Sequence, residues 1–256
     1  KLIRQMATMP EPSQPFRGTS MPKITGRDAF LSLLESEGVT HLFGNPGTTE
    51  LAIMDALVEH PALTYVLGLN EAIVVAMADG YARASGRLAA ANVHVAPGLG
   101  NALGSLYNAM WYGAPVLLTA GQHPQGFGLT EPLLYHPLVP MAAPLVKWAV
   151  EVQRLEDLPR IVHRAAKEAL TPPTGPVFLS LPGDILEAEQ ELDLGHPTRV
   201  DARTRPSDAA LQQFAERLLT AQNPVIVSGH EVATDNALAE TARLAELLGA
   251  PVYMQT

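Results

Sequence analysis

The segment from Leu67 to Arg83, LGLNEAIVVAMADGYAR, decides the fold that this sequence predicts. It follows an apolar run, Thr64–Leu67, of the kind that forms a buried strand, and it continues as a helical pattern rich in Ala and Val. Glu71 and Asp79 are the only charged residues in the first ten positions of that helix. A helix that is apolar on nearly all sides has no wetted face, so we expect most of it to be buried.

Glu71, at the start of this helix, allows two interpretations. In the first, the side chain complements the helix dipole and caps free N–H groups of the first turn. In the second, the carboxyl group lies in an apolar cleft at the carboxyl end of a strand, where open α/β sheets bind ligands.

Strand and helix patterns alternate along the chain, which predicts an α/β fold built on a parallel sheet with helices on both faces. The predicted strands are 39–43, 64–69, 88–95, 115–121 and 175–181, with helical patterns between most of them. Residues 125–144 form a long, proline-rich connection, and long connections inside compact domains are usually functional.

The predicted domain organisation has four parts. These are a disordered tail (1–21), the α/β domain (22–186), a linker (187–206) and the start of a second α/β domain (207–256). The last part holds only two predicted strands, too few to bury a core alone, so we expect the chain to be a piece of a longer protein.

Composition excludes several classes of partner and site. Apolar residues make up 47% of the chain, charged residues 17%, and the net charge of −9 argues against nucleic acid or an anionic membrane as partner. No apolar run is long enough to span a membrane. The chain has no Cys, which excludes disulfides and Cys-based metal sites and fits a cytoplasmic location.

Two further strand-to-helix junctions stand out, FGNPGTTE at Phe43–Glu50 and VHVAPGLGNA at Val93–Ala102. Together with the Glu71 segment, they resemble the pyrimidine-binding domain of thiamine-diphosphate (ThDP) enzymes. The resemblance is greatest to the benzoylformate decarboxylase branch of the 2-oxoacid decarboxylase and acetolactate synthase group. It covers Pro22 to Ile185 and continues more weakly to Thr256. The combined spacing is specific, whereas any one Gly-rich turn is not.

The resemblance implies two catalytic residues. Glu71 would hydrogen-bond the aminopyrimidine ring of ThDP, and His94 would act as an acid–base group over the thiazolium ring. A histidine has a pKa near neutrality, about 6.5 when unperturbed, which suits proton transfer. Without the resemblance, a histidine at the end of an apolar strand is more often a structural residue.

The resemblance also implies binding residues. Asn45, Pro46, Gly47, Glu71, Gly98 and Asn101 would bind the cofactor, with Gly100 beside them, while Thr48 and His94 would bind the substrate. Thr48 retains the hydroxyl of the serine that the family places there to hold the substrate carboxylate. From the residues alone, 45–47 is a simple turn, Thr48 a helix cap and 98–101 the start of a helix. His123 departs from the benzoylformate pattern and is expected to lie on a surface loop.

The family binds the ThDP diphosphate through Mg²⁺, with a Gly-Asp-Gly segment followed by Asn. Gly183-Asp184-Ile185 lacks the second Gly, so no metal ligand is predicted here, and the Mg²⁺ and diphosphate ligands are expected in a missing C-terminal domain. The resemblance further implies a 2-oxoacid substrate and a homo-oligomer, dimer or tetramer, because family active sites form between subunits. An acetolactate synthase-like carboligase and a non-catalytic binding or regulatory domain of the same fold remain alternatives.

Overall fold

The computed structural model describes residues 23–199, 201 and 204–255. The predicted disordered tail, 1–21, lies outside these residues. Within the described part of the chain, no helix is both long and apolar enough to cross a membrane.

Strands and helices alternate through most of the chain. The strands are β1 (Lys23–Thr25), β2 (His41–Gly44), β3 (Thr64–Leu67), β4 (Ala89–Val93), β5 (Val116–Gln122), β6 (Ala149–Glu151), β7 (Val177–Pro182), β8 (Glu189–Glu191), β9 (Ile226–Ser228) and β10 (Val252–Met254). The helices are α1 (Gly26–Ser36), α2 (Leu51–Ala56), α3 (Glu71–Ser85), α4 (Val95–Trp111), α5 (Leu138–Ala142), α6 (Leu158–Leu170), α7 (Gly183–Glu187), α8 (Asp208–Leu219), α9 (Glu231–Thr234) and α10 (Leu238–Leu248).

Six strands form the central sheet in the order β3-β2-β4-β5-β7-β6, and every neighbouring pair is parallel. The predicted α/β class is therefore confirmed. β6, at one edge, was not predicted, because its three residues are too few to show a periodic pattern.

The sheet carries one hydrophobic core on each face, which confirms helices on both faces. Side chains alternate between the faces along each strand, so Leu42 and Leu117 contribute to one core and Phe43 and Leu118 to the other. Helices α1, α2 and α6 cover the first face, and α3, α4 and α5 cover the second. Strands buried on both faces are nearly continuous apolar runs, as β5 is.

Helix α3 is buried on one side only, contrary to the expectation that most of it would be covered. Val74, Val75 and Ala78 are fully buried against the sheet, whereas Ile73 on the opposite side is 52% exposed. The outer surface of α3 is therefore apolar and open within the described chain.

Two local differences from the sequence prediction affect the site and the domain ends. Helix α4 begins at Val95 rather than near Leu99, which places the turn containing Gly98 inside the helix. Residues 189–191, predicted as linker, form β8 and pair antiparallel with β1. The other predicted domain boundaries stay a prediction.

The second compact unit contains the described residues from Arg199 onward, where β9 and β10 pair in parallel. Its helices α8 and α10 have no buried residue, and Leu219 and Leu247 are 80% and 81% exposed. That this unit is the start of a larger domain stays a prediction.

Gly26, the first residue of α1, contacts the segment that follows β7. Its N–H donates to Ala188 O at 2.9 Å, and a Cβ at this position would lie 2.0 Å from Ile185 O. We expect Gly26→Ala to lower the free energy of unfolding by about 1–3 kcal/mol, because backbone must move to admit the methyl group. Urea denaturation followed by circular dichroism measures this change in the free energy of unfolding.

Gly80→Ala is the matched control, because Gly80 lies within α3 and a Cβ there would contact nothing within 4 Å. This control should stabilise the chain by about 0.5–1 kcal/mol, the usual preference for Ala over Gly in a helix. Equal stabilities for Gly26→Ala and the parent would contradict the tight contact.

Candidate functional site

The predicted site residues follow the carboxyl ends of neighbouring strands. β3 lies on one side of β2 and β4 on the other. The connection after β2 leads to β3, and the connection after β4 leads to β5, so the two connections leave in opposite directions. Open α/β sheets bind ligands at such a switch point. The turn Asn45–Gly47 follows β2 and His94 follows β4, and the two ends are joined by Asn45 N–H donating to Asn92 O at 3.2 Å.

His94 lies against the Asn45–Gly47 turn. A Cβ on Gly47 would be 2.4 Å from the imidazole Cγ and Nδ1, so only glycine leaves room for the ring in this position. The His94 side chain is 23% exposed, and its Nδ1 lies 2.7 Å from Glu50 Oε2 and 3.1 Å from Thr49 Oγ1. The sequence prediction that His94 and Gly47 belong to one site thus corresponds to direct packing.

The residue after His94 has a strained backbone. Val95 begins α4 with φ of +41°, although it is β-branched, and its side chain is buried. A β-branched residue in the left-handed region is an outlier that costs on the order of 1–3 kcal/mol. The surrounding structure therefore imposes this conformation at the point where the chain leaves β4.

Glu50 is a residue of the candidate site that the sequence did not single out. Its side chain is fully buried and accepts four hydrogen bonds, from Gly47 N, Thr49 Oγ1, His94 Nδ1 and Gly121 N, at 2.6–2.9 Å. The available signal was a Glu three residues after Gly47 at the start of a helical turn, the position from which Glu reaches back to the preceding N–H. Glu50 thereby joins the ends of β2, β4 and β5.

Tyr65 lies beside this buried carboxyl group. Burial raises the pKa of the Tyr65 phenol, and the negative charge of Glu50 raises it further. Its hydroxyl lies over Gly44, where a Cβ would be 2.0 Å away, and it has no hydrogen-bond partner among the described residues. The phenol therefore stays neutral across the physiological pH range.

Glu71 is the first residue of α3, is 9% exposed and faces α4. Asn101 Nδ2 donates to Glu71 Oε2 at 3.0 Å. Gly98 packs on the other side of the carboxyl group, since a Cβ there would lie 3.2 Å from Oε1. No described residue hydrogen-bonds Oε1, so this oxygen of the largely buried Glu71 is available to a ligand.

Asn70, not Glu71, caps the start of α3. Its Oδ1 accepts a hydrogen bond from Ala72 N at 2.9 Å, the usual contact of a residue that precedes a helix. The capping part of the structural interpretation of Glu71 therefore does not hold, although a carboxyl group at this position still favours the helix dipole.

The structure brings the predicted residues into two groups joined by the first turn of α4. His94 and Gly47 form one group, and Glu71, Gly98 and Asn101 form the other. Gly98 N–H donates to His94 O at 2.9 Å, so the two groups share one helical turn. Asn45 and Pro46 are half-buried in the turn after β2, and Gly100 is exposed on α4.

Thr48 and His123 lie apart from these groups. Thr48 is exposed and lines an open cleft of about 480 Å³ with Thr49, Leu51, Gln122 and Asp184 among others; Glu71 and His94 do not line it. His123 Nε2 lies 3.1 Å from Leu133 O in the loop after β5, in keeping with the expected surface loop. The described residues contain no group of three acidic or histidine side chains that could hold a metal ion.

Comparison with known proteins identifies a family domain within the chain. The family described as "Thiamine pyrophosphate enzyme, N-terminal TPP binding domain" matches residues 24–131. This part of the chain belongs to the thiamine pyrophosphate enzymes. The part that matches is their N-terminal, cofactor-binding domain, and it contains all eight predicted site residues.

Named relatives agree with this family. The chain is 37% identical over 233 residues to a benzoylformate decarboxylase of Pseudomonas aeruginosa, covering 90% of this chain and 44% of the relative. It is 29% identical to an acetolactate synthase large subunit of Buchnera aphidicola, covering 91% of this chain and 42% of the relative. A solved 4-hydroxybenzoylformate decarboxylase of Rhodococcus jostii RHA1 superposes with a TM-score of 0.82 at 36% identity, covering 90% and 44% of the two chains. The chain thus spans less than half the length of these relatives.

The residues present fit an aminopyrimidine ring. The Oε1 oxygen of the largely buried Glu71 can hydrogen-bond a ring nitrogen, and Asn101 fixes the other oxygen. Glycine at positions 47 and 98 keeps side-chain atoms away from His94 and Glu71. The site therefore offers one carboxyl group and one imidazole at the edge of the sheet, the groups that proton transfer to and from a bound cofactor requires.

Replacing Gly47 by Ala tests the packing of His94. The new methyl group would overlap the imidazole, which is a movable side chain, so we expect the fold to survive and the ring to leave Glu50. A crystal structure of the variant should show the Nδ1 to Oε2 distance increased well beyond hydrogen-bonding range, which ends near 3.2 Å.

Gly100→Ala is the control for this variant, because a Cβ there would contact nothing within 4 Å. His94 should keep its position in the control. An unmoved imidazole in Gly47→Ala would show that the turn adapts instead and would contradict the role assigned to Gly47.

Proposed function

We propose that the full-length protein is a ThDP-dependent enzyme that decarboxylates a 2-oxoacid. The observation that carries the proposal is the arrangement of Glu71, whose carboxyl group is buried, oriented by Asn101 and left with one free oxygen. The benzoylformate decarboxylase relative supports this choice of reaction. When bound, ThDP supplies the electron sink for the loss of carbon dioxide.

Each residue of this chain has a role in the proposal. Glu71 hydrogen-bonds the aminopyrimidine ring through Oε1 and passes a proton to it. His94 exchanges protons with the reacting substrate through its imidazole ring. Thr48 donates its hydroxyl to the substrate carboxylate, and the turn Asn45–Gly47 with Gly98 and Asn101 forms the wall against the cofactor.

The remaining ligands are proposed to lie outside the described residues. Mg²⁺ and the groups that hold the diphosphate belong to a part of the protein that this chain does not contain, since the relatives are more than twice as long. A cytoplasmic location is proposed on the absence of Cys from the chain.

Carboligation is the second candidate reaction, supported by the similarity to an acetolactate synthase large subunit. The two reactions share the proton transfers assigned to Glu71 and differ in what reacts after carbon dioxide has left. Incubation of the full-length protein with a 2-oxoacid separates them, because decarboxylation releases an aldehyde and carboligation releases a longer hydroxyketone.

Glu71→Gln tests the catalytic role of Glu71 in the full-length protein. Glutamine has the same shape and retains hydrogen bonding, but it cannot transfer a proton, so kcat should fall by ~10²–10⁴-fold with little change in cofactor affinity. The exchange of the C2 hydrogen of bound ThDP for deuterium should slow in parallel, as followed by NMR after acid quench.

Glu37→Gln is the control, because Glu37, which follows α1, is also buried but pairs with His163 of α6. Glu37→Gln should lower the free energy of unfolding without changing the rate at which the C2 hydrogen of bound ThDP exchanges. His94→Ala should leave C2 exchange intact and slow turnover. A Glu71→Gln variant that exchanges as fast as the parent would reduce Glu71 to a structural residue.

We also propose that the full-length protein is a homo-oligomer through the outer faces of α3 and α4. Ile73, Tyr107, Met110 and Trp111 are 46–67% exposed, and the rings of Tyr107 and Trp111 stack with centroids 6.4 Å apart. Exposed apolar and aromatic groups on neighbouring helices are typical of a protein–protein interface.

Trp111→Glu should weaken this association. A charge at an aromatic anchor position typically costs about 2 kcal/mol or more of association free energy, so sedimentation velocity should show dissociation at higher protein concentration than for the parent. Val58→Glu is the control and should leave the assembly unchanged, because Val58 is 79% exposed, against 67% for Trp111, but follows α2 on the opposite face of the sheet. If Trp111→Glu and Val58→Glu sedimented alike, α4 would not be part of the interface.

A further inference from the structure

The carboxyl group of Glu50, which contacts His94, is surrounded by hydrogen-bond donors. Gly47 N–H donates to Oε2 at 2.8 Å and Gly121 N–H donates to Oε1 at 2.9 Å. Backbone N–H groups can only donate, so each carboxyl oxygen of Glu50 is already an acceptor. A carboxylate, which accepts at both oxygens, is the form that this environment fits.

The positions of the remaining hydrogen atoms follow from these two backbone hydrogen bonds. The Thr49 hydroxyl donates to Oε1 at 2.6 Å, which leaves its lone pairs free to accept from His94. His94 Nδ1 then has only acceptors around it, Glu50 Oε2 at 2.7 Å and Thr49 Oγ1 at 3.1 Å. Nδ1 must therefore carry a hydrogen atom, and the basic lone pair of the neutral ring is on Nε2.

A second histidine pair in the same chain shows that this arrangement is not general. His163 Nδ1 also contacts a buried carboxylate, that of Glu37, but its Nε2 lies 2.8 Å from Leu194 O. A carbonyl oxygen can only accept, so both nitrogens of His163 are used to hold the fold together. No described residue hydrogen-bonds Nε2 of His94, whose side chain is 23% exposed while that of Glu50 is fully buried.

We propose that Glu50 is a positioning residue that fixes the Nδ1–H tautomer of His94 and so makes Nε2 the atom that exchanges protons at the edge of the sheet. The use of Nε2 in turnover rests on the proposed function; the tautomer itself does not. Because Glu50 also accepts from the ends of β2 and β5, it fixes the orientation of the ring together with its protonation.

Glu50→Gln should reverse the tautomer. The amide oxygen is needed at the Oε1 position, where Gly121 N–H is fully buried and would otherwise lose its acceptor. The amide NH₂ then replaces Oε2, faces the half-buried Gly47 and donates to His94 Nδ1. Nδ1 becomes an acceptor, and the hydrogen atom moves to Nε2.

The direct measurement is solid-state ¹⁵N NMR of the full-length protein labelled in its histidine rings. Spectra are taken along a series of rising pH, and those in which the ¹⁵N shifts show a neutral His94 ring are compared. The His94 signals are assigned by their loss in His94→Gln. We expect a protonated Nδ1 and an unprotonated Nε2 in the parent, and the reverse in Glu50→Gln.

Glu37→Gln is the matched control, since it makes the same chemical change in the other buried glutamate–histidine pair. It should leave the His94 signals unchanged while shifting those of His163. Modification by diethyl pyrocarbonate, followed by peptide mass spectrometry, gives a second readout. Labelling of His94 should fall about tenfold in Glu50→Gln, the preference that one hydrogen bond to the other tautomer supplies.

Two results would overturn the proposal. One is an unprotonated Nδ1 in the parent, which can be measured even if Glu50→Gln does not fold. The other is a folded Glu50→Gln variant that keeps the parent tautomer. Failure of the proposed function looks different: His94→Ala would then leave turnover unchanged while the tautomer of the parent remains as described.

Discussion

The burial of one carboxylate, that of Glu50, constrains this end of the molecule. Removing a charge from water is strongly unfavourable unless hydrogen bonds replace the lost hydration, and here four donors from three strand ends do so. The turn after β2, the residue after β4 and the end of β5 must all be in place before Glu50 is satisfied. The geometry of the site is therefore a condition of folding, since a misplaced strand end would leave the charge without partners.

The switch point explains why the two groups of site residues meet. Parallel strands present their carboxyl ends at one edge, and the divergence of the chain between β2 and β4 opens a crevice there. Helix α4 starts in that crevice, with His94 before its first residue and Gly98 and Asn101 one and two turns later. Glu71 reaches the same helix from α3 through Asn101, so α4 carries contacts from both groups.

Most of the sheet and half of the site could be predicted from the sequence. β2, β4, β5 and β7 are apolar runs followed by turns, and Glu71 stands out because its helix is otherwise so apolar. Glu50 could not be found in this way, because its partners Gly121 and His94 lie 71 and 44 residues away and two of the four are backbone groups with no sequence signal. β1, β6 and β8 were missed for a different reason: three-residue strands are defined by their neighbours, not by periodicity.

The left-handed backbone of Val95 restricts which substitutions this position can accept. A Gly at that position would relieve the strain, but it would also empty the space that the buried Val95 side chain fills. The same change would release the peptide that connects His94 to α4 and let the imidazole sample other orientations. The packing of the Val95 side chain therefore holds both the left-handed backbone and the orientation of His94, and a substitution at this position alters the two together.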